Sequence, residues 1–144
     1  MVIREMQIED IEAVEAVDKA CFSVPWQQTA FLSFLMREGT VFLVAEEDNE
    51  IIGYLGIATA YDESDVLKIV VSQEHRRKGA AGALLENAFD KIRAMGVKKN
   101  YLEVRVSNAP AISLYRKYGY TDVGIRRNYY TKPVEDALVM EKDI

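Results

Sequence analysis

Three groups of residues in this chain have the types and spacing that chemistry requires. The first is Gln73-Glu-His75-Arg76-Arg77-Lys78-Gly79-Ala80-Ala81-Gly82-Ala-Leu-Leu85, where the apolar run Val66–Val71 meets a helical pattern continuing to Met95. A turn that becomes a helix aims free backbone N–H groups outward. The helix dipole adds partial positive charge there, which suits a phosphate or pyrophosphate. Gly79 and Gly82 lack side chains that would block close approach, and Arg76, Arg77 and Lys78 supply mobile positive charge. A basic, solvated loop capping an ordinary helix fits this turn equally well. No Gly-Lys-Ser/Thr follows, so it is not a P-loop, and the Gly-x-Gly-x-x-Gly spacing of a dinucleotide site is absent.

The second group is Glu103 in Tyr-Leu-Glu-Val-Arg-Val, a strand expected near the middle of a sheet, where charge is uncommon. Glu103 is either a proton acceptor or a half-exposed side chain bridged to Arg105 on the same face. The third is Tyr115, Tyr118 and Tyr120. A phenol of pKa ~10 stays protonated at neutral pH and can act as an acid. Core packing explains a helical tyrosine as well, and the residues alone do not choose among the three. Cys21 and His75 are the only residues of their kinds. One thiol cannot form an internal disulfide, and this pair does not make a zinc site. Cys21 on an apolar helical stretch reads as a buried structural thiol.

Arg76-x-x-Gly79-x-Ala81 fits the Arg/Gln-x-x-Gly-x-Gly/Ala signature of the GCN5-related N-acetyltransferase (GNAT) superfamily, and the chain resembles that superfamily over nearly its whole length. Tyr101–Asn108, Ala111-Ile-Ser-Leu-Tyr115 and Arg126-Arg-Asn-Tyr129-Tyr130 are similar to the RimI-type branch, which acetylates the N-terminal amine of a bacterial small-subunit ribosomal protein. The Gly-Ala-Ala-Gly turn departs from the commoner Gly-x-Gly form but stays within the permitted pattern.

The resemblance implies acetyl-CoA as cosubstrate and no metal. It assigns coenzyme A to the turn, whose residues Arg77, Lys78, Gly79, Ala80, Ala81 and Gly82 would take the pyrophosphate with Arg76 also binding the cofactor, and adds backbone pairing at Ile69, Val70 and Val71 and a further contact at Asn108. An N–H near Val71 is then the oxyanion donor. Glu103 matches the family's base, with water able to relay the proton, and Tyr115 matches the acid that serves the leaving sulfur. Trp26, Tyr129 and Tyr130 match elements flanking the peptide groove. The implied reaction is direct transfer of acetyl to a protein N-terminal α-amine, with a ribosomal protein as partner. Its rivals are the same chemistry on a lysine or small amine, and a non-catalytic acyl-CoA-binding module.

Composition bounds these readings. The chain has 144 residues, 49% apolar and 28% charged, which suits one globular domain over 1–144. A net charge of −5 argues against direct nucleic-acid binding. No apolar run approaches the ~20 residues of a membrane span, and Met-Val-Ile-Arg-Glu-Met has no signal-peptide core. Together with the single cysteine, this predicts a cytoplasmic protein. Oligomeric state is not encoded in these features.

The elements that must position the candidates follow from periodicity. A strand is predicted at Val2–Met6, and a helix at Ile8–Phe22 with Ile8, Ile11, Val14 and Val17 on its apolar stripe. A second helix is predicted at Gln27–Arg37. Strands follow at Val41–Ala45 and Ile51–Ala60 around a turn at Glu46–Asn49, then a turn at Asp62–Ser64 and a strand at Val66–Val71. The helix Gly79–Met95, the strand Lys99–Val106 and the helix Asn108–Tyr118 come next, with Asn108 as N-cap. Strands at Tyr120–Ile125 and Asp136–Met140 close the chain around a loop at Arg126–Pro133. The order β-α-α-β-β-β-α-β-α-β-β gives an α/β fold, a mixed sheet with helices on both faces, the acyl-CoA N-acyltransferase fold that the resemblance implies.

Overall fold

A computed structural model describes residues 1–144. Its strands are β1 (Val2–Glu5), β2 (Thr40–Glu47), β3 (Glu50–Ala60), β4 (Glu63–Val71), β5 (Lys99–Arg105), β6 (Thr121–Tyr130) and β7 (Glu135–Asp143). Its helices are α1 (Ile11–Cys21), α2 (Gln28–Met36), α3 (Ala80–Ala94) and α4 (Ala109–Lys117). The strands form one sheet in the order β1-β2-β3-β4-β5-β7-β6. Only β4 and β5 run parallel.

Successive side chains of a strand point to opposite faces, and the core divides accordingly. Leu43, Leu55 and Ile57 pack with Leu84, Leu85, Ala88 and Ile92 of α3 and with Ile112 and Tyr115 of α4. Their neighbours Phe42, Val44 and Tyr54 pack with Val14 of α1 and Phe31 of α2 on the other face. The two-layer covering predicted from the element order is therefore present.

The feature that shapes the site is the divergence of β4 from β5. Their pairing covers only Glu63–Asp65 against Lys99–Tyr101. Beyond it, Lys68 lies opposite Gly56 and Val66 opposite Ile57, so Leu67 is an extra residue on β4. A bulge of this kind bends the strand and increases its twist, and the rest of β4 leaves β5. A side chain at Gly56 would collide with the Phe42 ring, so the bulge sits where β3 has no side chain of its own.

Several predicted boundaries are corrected. Ile8–Asp10 is a turn of 3₁₀ helix, and Ile8 is exposed rather than part of the α1 stripe. Asp10 turns inward instead, accepting from Gln7 N–H at 2.7 Å and from the Arg4 guanidinium. The β2–β3 turn contracts to Asp48 and Asn49, both at positive φ, leaving Glu46 and Glu47 in β2. Glu63 and Ser64 already belong to β4, where buried Ser64 donates to the Lys99 carbonyl at 3.0 Å. The largest correction is Arg126–Tyr130, predicted as loop but part of β6. These residues are mostly exposed on a two-stranded extension of the sheet, so burial imposes no alternation on them. Asn108 caps α4 as predicted, its side chain accepting from Ala111 N–H at 3.3 Å.

Candidate active site

The divergence of β4 and β5 opens a cleft of about 330 Å³. Its floor is Val66–Ile69 of β4 and Leu102–Arg105 of β5. Phe22, Ser23 and Val24, between α1 and α2, form one wall. Tyr129 and Tyr130 of β6 form the other, and Asn108 and Tyr115 come from the start and body of α4.

Ser72 N–H donates to the Ile52 carbonyl at 2.7 Å, which fixes the hydrogen-bonding phase of β4 against β3. By alternation, Lys68 and Val70 turn their backbone groups to β3, and Ile69 and Val71 turn theirs toward the cleft. Of the three residues expected to pair with a cofactor, Val70 thus pairs with Tyr54 within the sheet, and Ile69 and Val71 are the two with backbone groups turned away from β3. The Val71 carbonyl receives Arg76 Nε at 3.1 Å.

At the turn before α3, Gly79 adopts φ 83° as the helix N-cap and Arg77 also has positive φ, 64°. The first helical bond runs from Ala83 N–H to the Gly79 carbonyl at 3.0 Å. The N–H groups of Ala80, Ala81 and Gly82 thus precede the ladder and point out of the helix end. Arg77, Lys78 and Gly79 are exposed around them. This cradle fits a pyrophosphate. Two readings of its residues change. Gly82 is buried, and the space its missing Cβ leaves is filled by the Tyr118 hydroxyl, so it serves helix packing rather than ligand approach. The Arg76 side chain reaches back to Val71 and to Cys21 Sγ at 3.7 Å, tying the turn to β4 and α1. Cys21 is only partly buried there.

Glu103 faces the cleft with its side chain 17% exposed. Its partner is Arg126, at 3.4 Å, not Arg105 as the shared strand face suggested. Burial pushes the Glu103 carboxyl up from the usual range; Arg126 opposes that rise and Asp65 adds to it. Arg105 instead bonds Glu135 at 3.1 Å and the carbonyls of Pro133 and Thr131, and lies 4.5 Å over the Tyr130 ring. Because Glu135 also accepts Ser107 N–H at 2.8 Å, this knot fixes the β6–β7 hairpin against the segment that leads to Asn108.

The three tyrosines separate cleanly. The Tyr120 hydroxyl bonds the Asn100 side chain in the core, and Tyr118 points at Gly82. Tyr115 alone among them lines the cleft, its buried ring edge-on to Tyr120 at 5.8 Å. Burial and then Tyr130 push its phenol well above the ordinary value. Tyr129 and Tyr130 stand perpendicular with centroids 5.0 Å apart, and burial pushes the Tyr130 phenol up to about 12.

Trp26, expected beside a peptide, packs elsewhere. Its ring meets Phe31 at 5.4 Å and Phe34 at 5.1 Å, and Phe22–Val24 line the cleft in its place. Sequence reasoning also missed Lys68, which lines the floor, and Asp18, which holds it. Both carried a signal. Each is a charge on an otherwise apolar pattern, Asp18 four residues after Val14 on the α1 stripe and Lys68 inside the run Val66–Val71.

Residues 11–120 match the Acetyltransferase (GNAT) family. The chain belongs to that family. It is an acyltransferase of the N-acetyltransferase kind, and acetyl-CoA is its cosubstrate. A Bacillus subtilis (strain 168) protein provisionally named ribosomal protein bS18 alanine N-acetyltransferase is 36% identical, over 96% of this chain and 92% of its own length. The Escherichia coli (strain K12) protein named ribosomal protein bS18 alanine N-acetyltransferase is 32% identical, over 96% of this chain and 94% of its own. The crystal structure of the ribosomal-protein-S18-alanine N-acetyltransferase from Escherichia coli superposes with a TM-score of 0.91 at 31% identity, covering 99% of this chain and 93% of that one. The GNAT chain contains no group of three His, Cys, Asp or Glu side chains placed to hold a metal ion, and no helix long and apolar enough to cross a membrane.

Proposed function

We propose that this GNAT protein acetylates a protein N-terminal α-amine, the N-terminal alanine of ribosomal protein bS18, in the cytoplasm. The observation that carries the substrate is the match over 96% of the chain to relatives named for that reaction. The cleft supports the chemistry, because Glu103 and Tyr115 line the same opening.

Bound acetyl-CoA supplies an activated acyl thioester. The chain's own residues then have four tasks. The N–H groups of Ala80–Gly82, with Arg77 and Lys78, hold the pyrophosphate, with Asn108 beside the cleft as a further contact. The N–H and C=O of Ile69 and the N–H of Val71 hold the pantetheine arm and supply an oxyanion donor. Glu103 takes a proton from the acceptor amine, directly or through water. Tyr115 gives its proton toward the leaving sulfur. Attack is direct, with no covalent enzyme intermediate. Tyr129, Tyr130 and Phe22–Val24 flank the acceptor peptide.

Thiol release from acetyl-CoA tests this reading with two matched peptide sets. One begins with Ala, Ser, Met or Gly and has a free N-terminus; the other has that terminus blocked and carries an internal lysine. Turnover is expected only with free termini, with Ala among the best. Turnover confined to the lysine set would transfer the reaction to ε-amines.

A further inference from the structure

Asp18 is fully buried, and its carboxylate is a hub. Oδ2 accepts Trp26 N–H at 2.7 Å, Oδ1 accepts the Tyr54 hydroxyl at 2.7 Å, and both oxygens accept Lys68 Nζ at 3.1 Å. Two of these donors, from the α1–α2 linker and β3, pin the carboxylate independently of Lys68. The Lys68 ammonium also lies 4.3 Å from the Phe22 ring centroid and 4.5 Å from that of Trp26. Ring faces attract a cation and give a neutral amine no comparable gain.

Lys68 is the only lysine lining the cleft, and it precedes Ile69 on the strand edge that faces the cosubstrate. A catalyst that acetylates amines thus carries an amine of its own in the lining of the cleft. Burial draws the Lys68 pKa down, toward the reactive neutral form, and Asp18 opposes it. Tyr54 on β3 and, across the cleft, Glu103, Arg105, Tyr115, Tyr129 and Tyr130 are the other ionisable groups around this floor.

We infer that Lys68 is a latent self-acetylation site and that Asp18, with the Phe22 and Trp26 rings, guards it by holding the ammonium. This rests on the reading above only in that acetyl-CoA occupies the cleft. When the guard fails, neutral Lys68 Nζ forms an N–C bond to the acetyl carbon. The C–S bond breaks, and the proton lost from nitrogen ends on the departing thiolate. The product is N-acetyl-lysine and free CoA. The modified side chain has no charge to offer Asp18 and adds bulk at the acceptor wall.

Site-resolved mass spectrometry after incubation with acetyl-CoA tests this without any acceptor peptide. In the wild-type chain, Lys68 is expected to gain acetyl no faster than exposed Lys19 and Lys117. In Asp18→Asn its rate is expected to rise about tenfold or more, because an adjacent opposite charge is worth a pKa unit or more. Excess CoA, which competes for the cleft, should suppress the reaction at Lys68 and leave Lys19 and Lys117 unaffected. Phe22→Leu, at a partly exposed ring, keeps the buried carboxylate and should raise Lys68 acetylation by a smaller factor; it serves if Asp18→Asn does not fold. Lys68 acetylation that stays level with the exposed lysines in both variants, or that ignores CoA, would overturn the inference. Failure of the N-terminal reading shows separately, in the peptide panels, since acetylation of Lys68 is indifferent to acceptor identity.

Discussion

Tyr115→Phe is expected to lower kcat about 10²–10⁴-fold, the usual contribution of a positioned acid, and to leave acetyl-CoA affinity and thermal stability unchanged. The substitution keeps the buried ring and its edge-on contact with Tyr120, so packing is preserved and only the hydroxyl is lost. Burial holds that phenol in its protonated form across the working range, which suits a donor and excludes a base. Steady-state turnover with an Ala-initiated peptide, together with calorimetric binding of acetyl-CoA, separates the two effects. Full turnover in the variant would remove Tyr115 from the acid role. A fall in cosubstrate affinity that matches the fall in kcat/KM would assign the hydroxyl to cosubstrate binding instead.

Glu103→Gln should act through pH. Acceptance of a proton requires the carboxylate, so the wild-type rate is lost as pH falls through the Glu103 pKa. Burial moves that acidic limb above the position an ordinary glutamate would give, and Arg126 moves it back in part. With glutamine present, only acceptor that is already neutral can react, and a free α-amine has a pKa of ~7.7–8.0. The variant's kcat/KM is therefore expected to be lower by about tenfold at neutral pH, where about a tenth of the amine is neutral, and to approach the wild type above the amine pKa. The whole limb shifts to higher pH. A uniform loss across the range, with the limb in place, would assign Glu103 to binding rather than to proton transfer.

Sequence made legible the features that rest on local rules. Apolar periodicity placed α3 and the strands of the central sheet, and the Asn108 cap followed from residue type. Family motifs led to Glu103 and Tyr115, and the fold brings both to one cleft. What sequence did not reveal depends on contacts between distant segments. The Leu67 bulge is a matter of register between β3 and β4. The Arg126–Glu103 pair joins residues whose strands are separated in the sheet by β7. Gly82 looked like a ligand-facing glycine because its neighbours belong to a turn, yet its space is set by Tyr118 on another helix. Trp26 shows the same limit, since an aromatic residue in a linker can anchor the linker or greet a ligand, and only the positions of Phe31 and Phe34 decide it.

In the proposed reaction the β4–β5 divergence seats both reactants, with Glu103 and Tyr115 on either side of the transferred acetyl. A crystal structure with a bisubstrate analogue, CoA joined through an acetyl bridge to the amine of an Ala-initiated peptide, would show this arrangement or its absence. Expected are pantetheine amides bonded to Ile69 and Val71, the pyrophosphate on the N–H groups of Ala80–Gly82, the sulfur within hydrogen-bond reach of the Tyr115 hydroxyl, and the peptide between Phe22–Val24 and Tyr129–Tyr130. An analogue bound with its sulfur away from Tyr115, or with its peptide outside those walls, would contradict it.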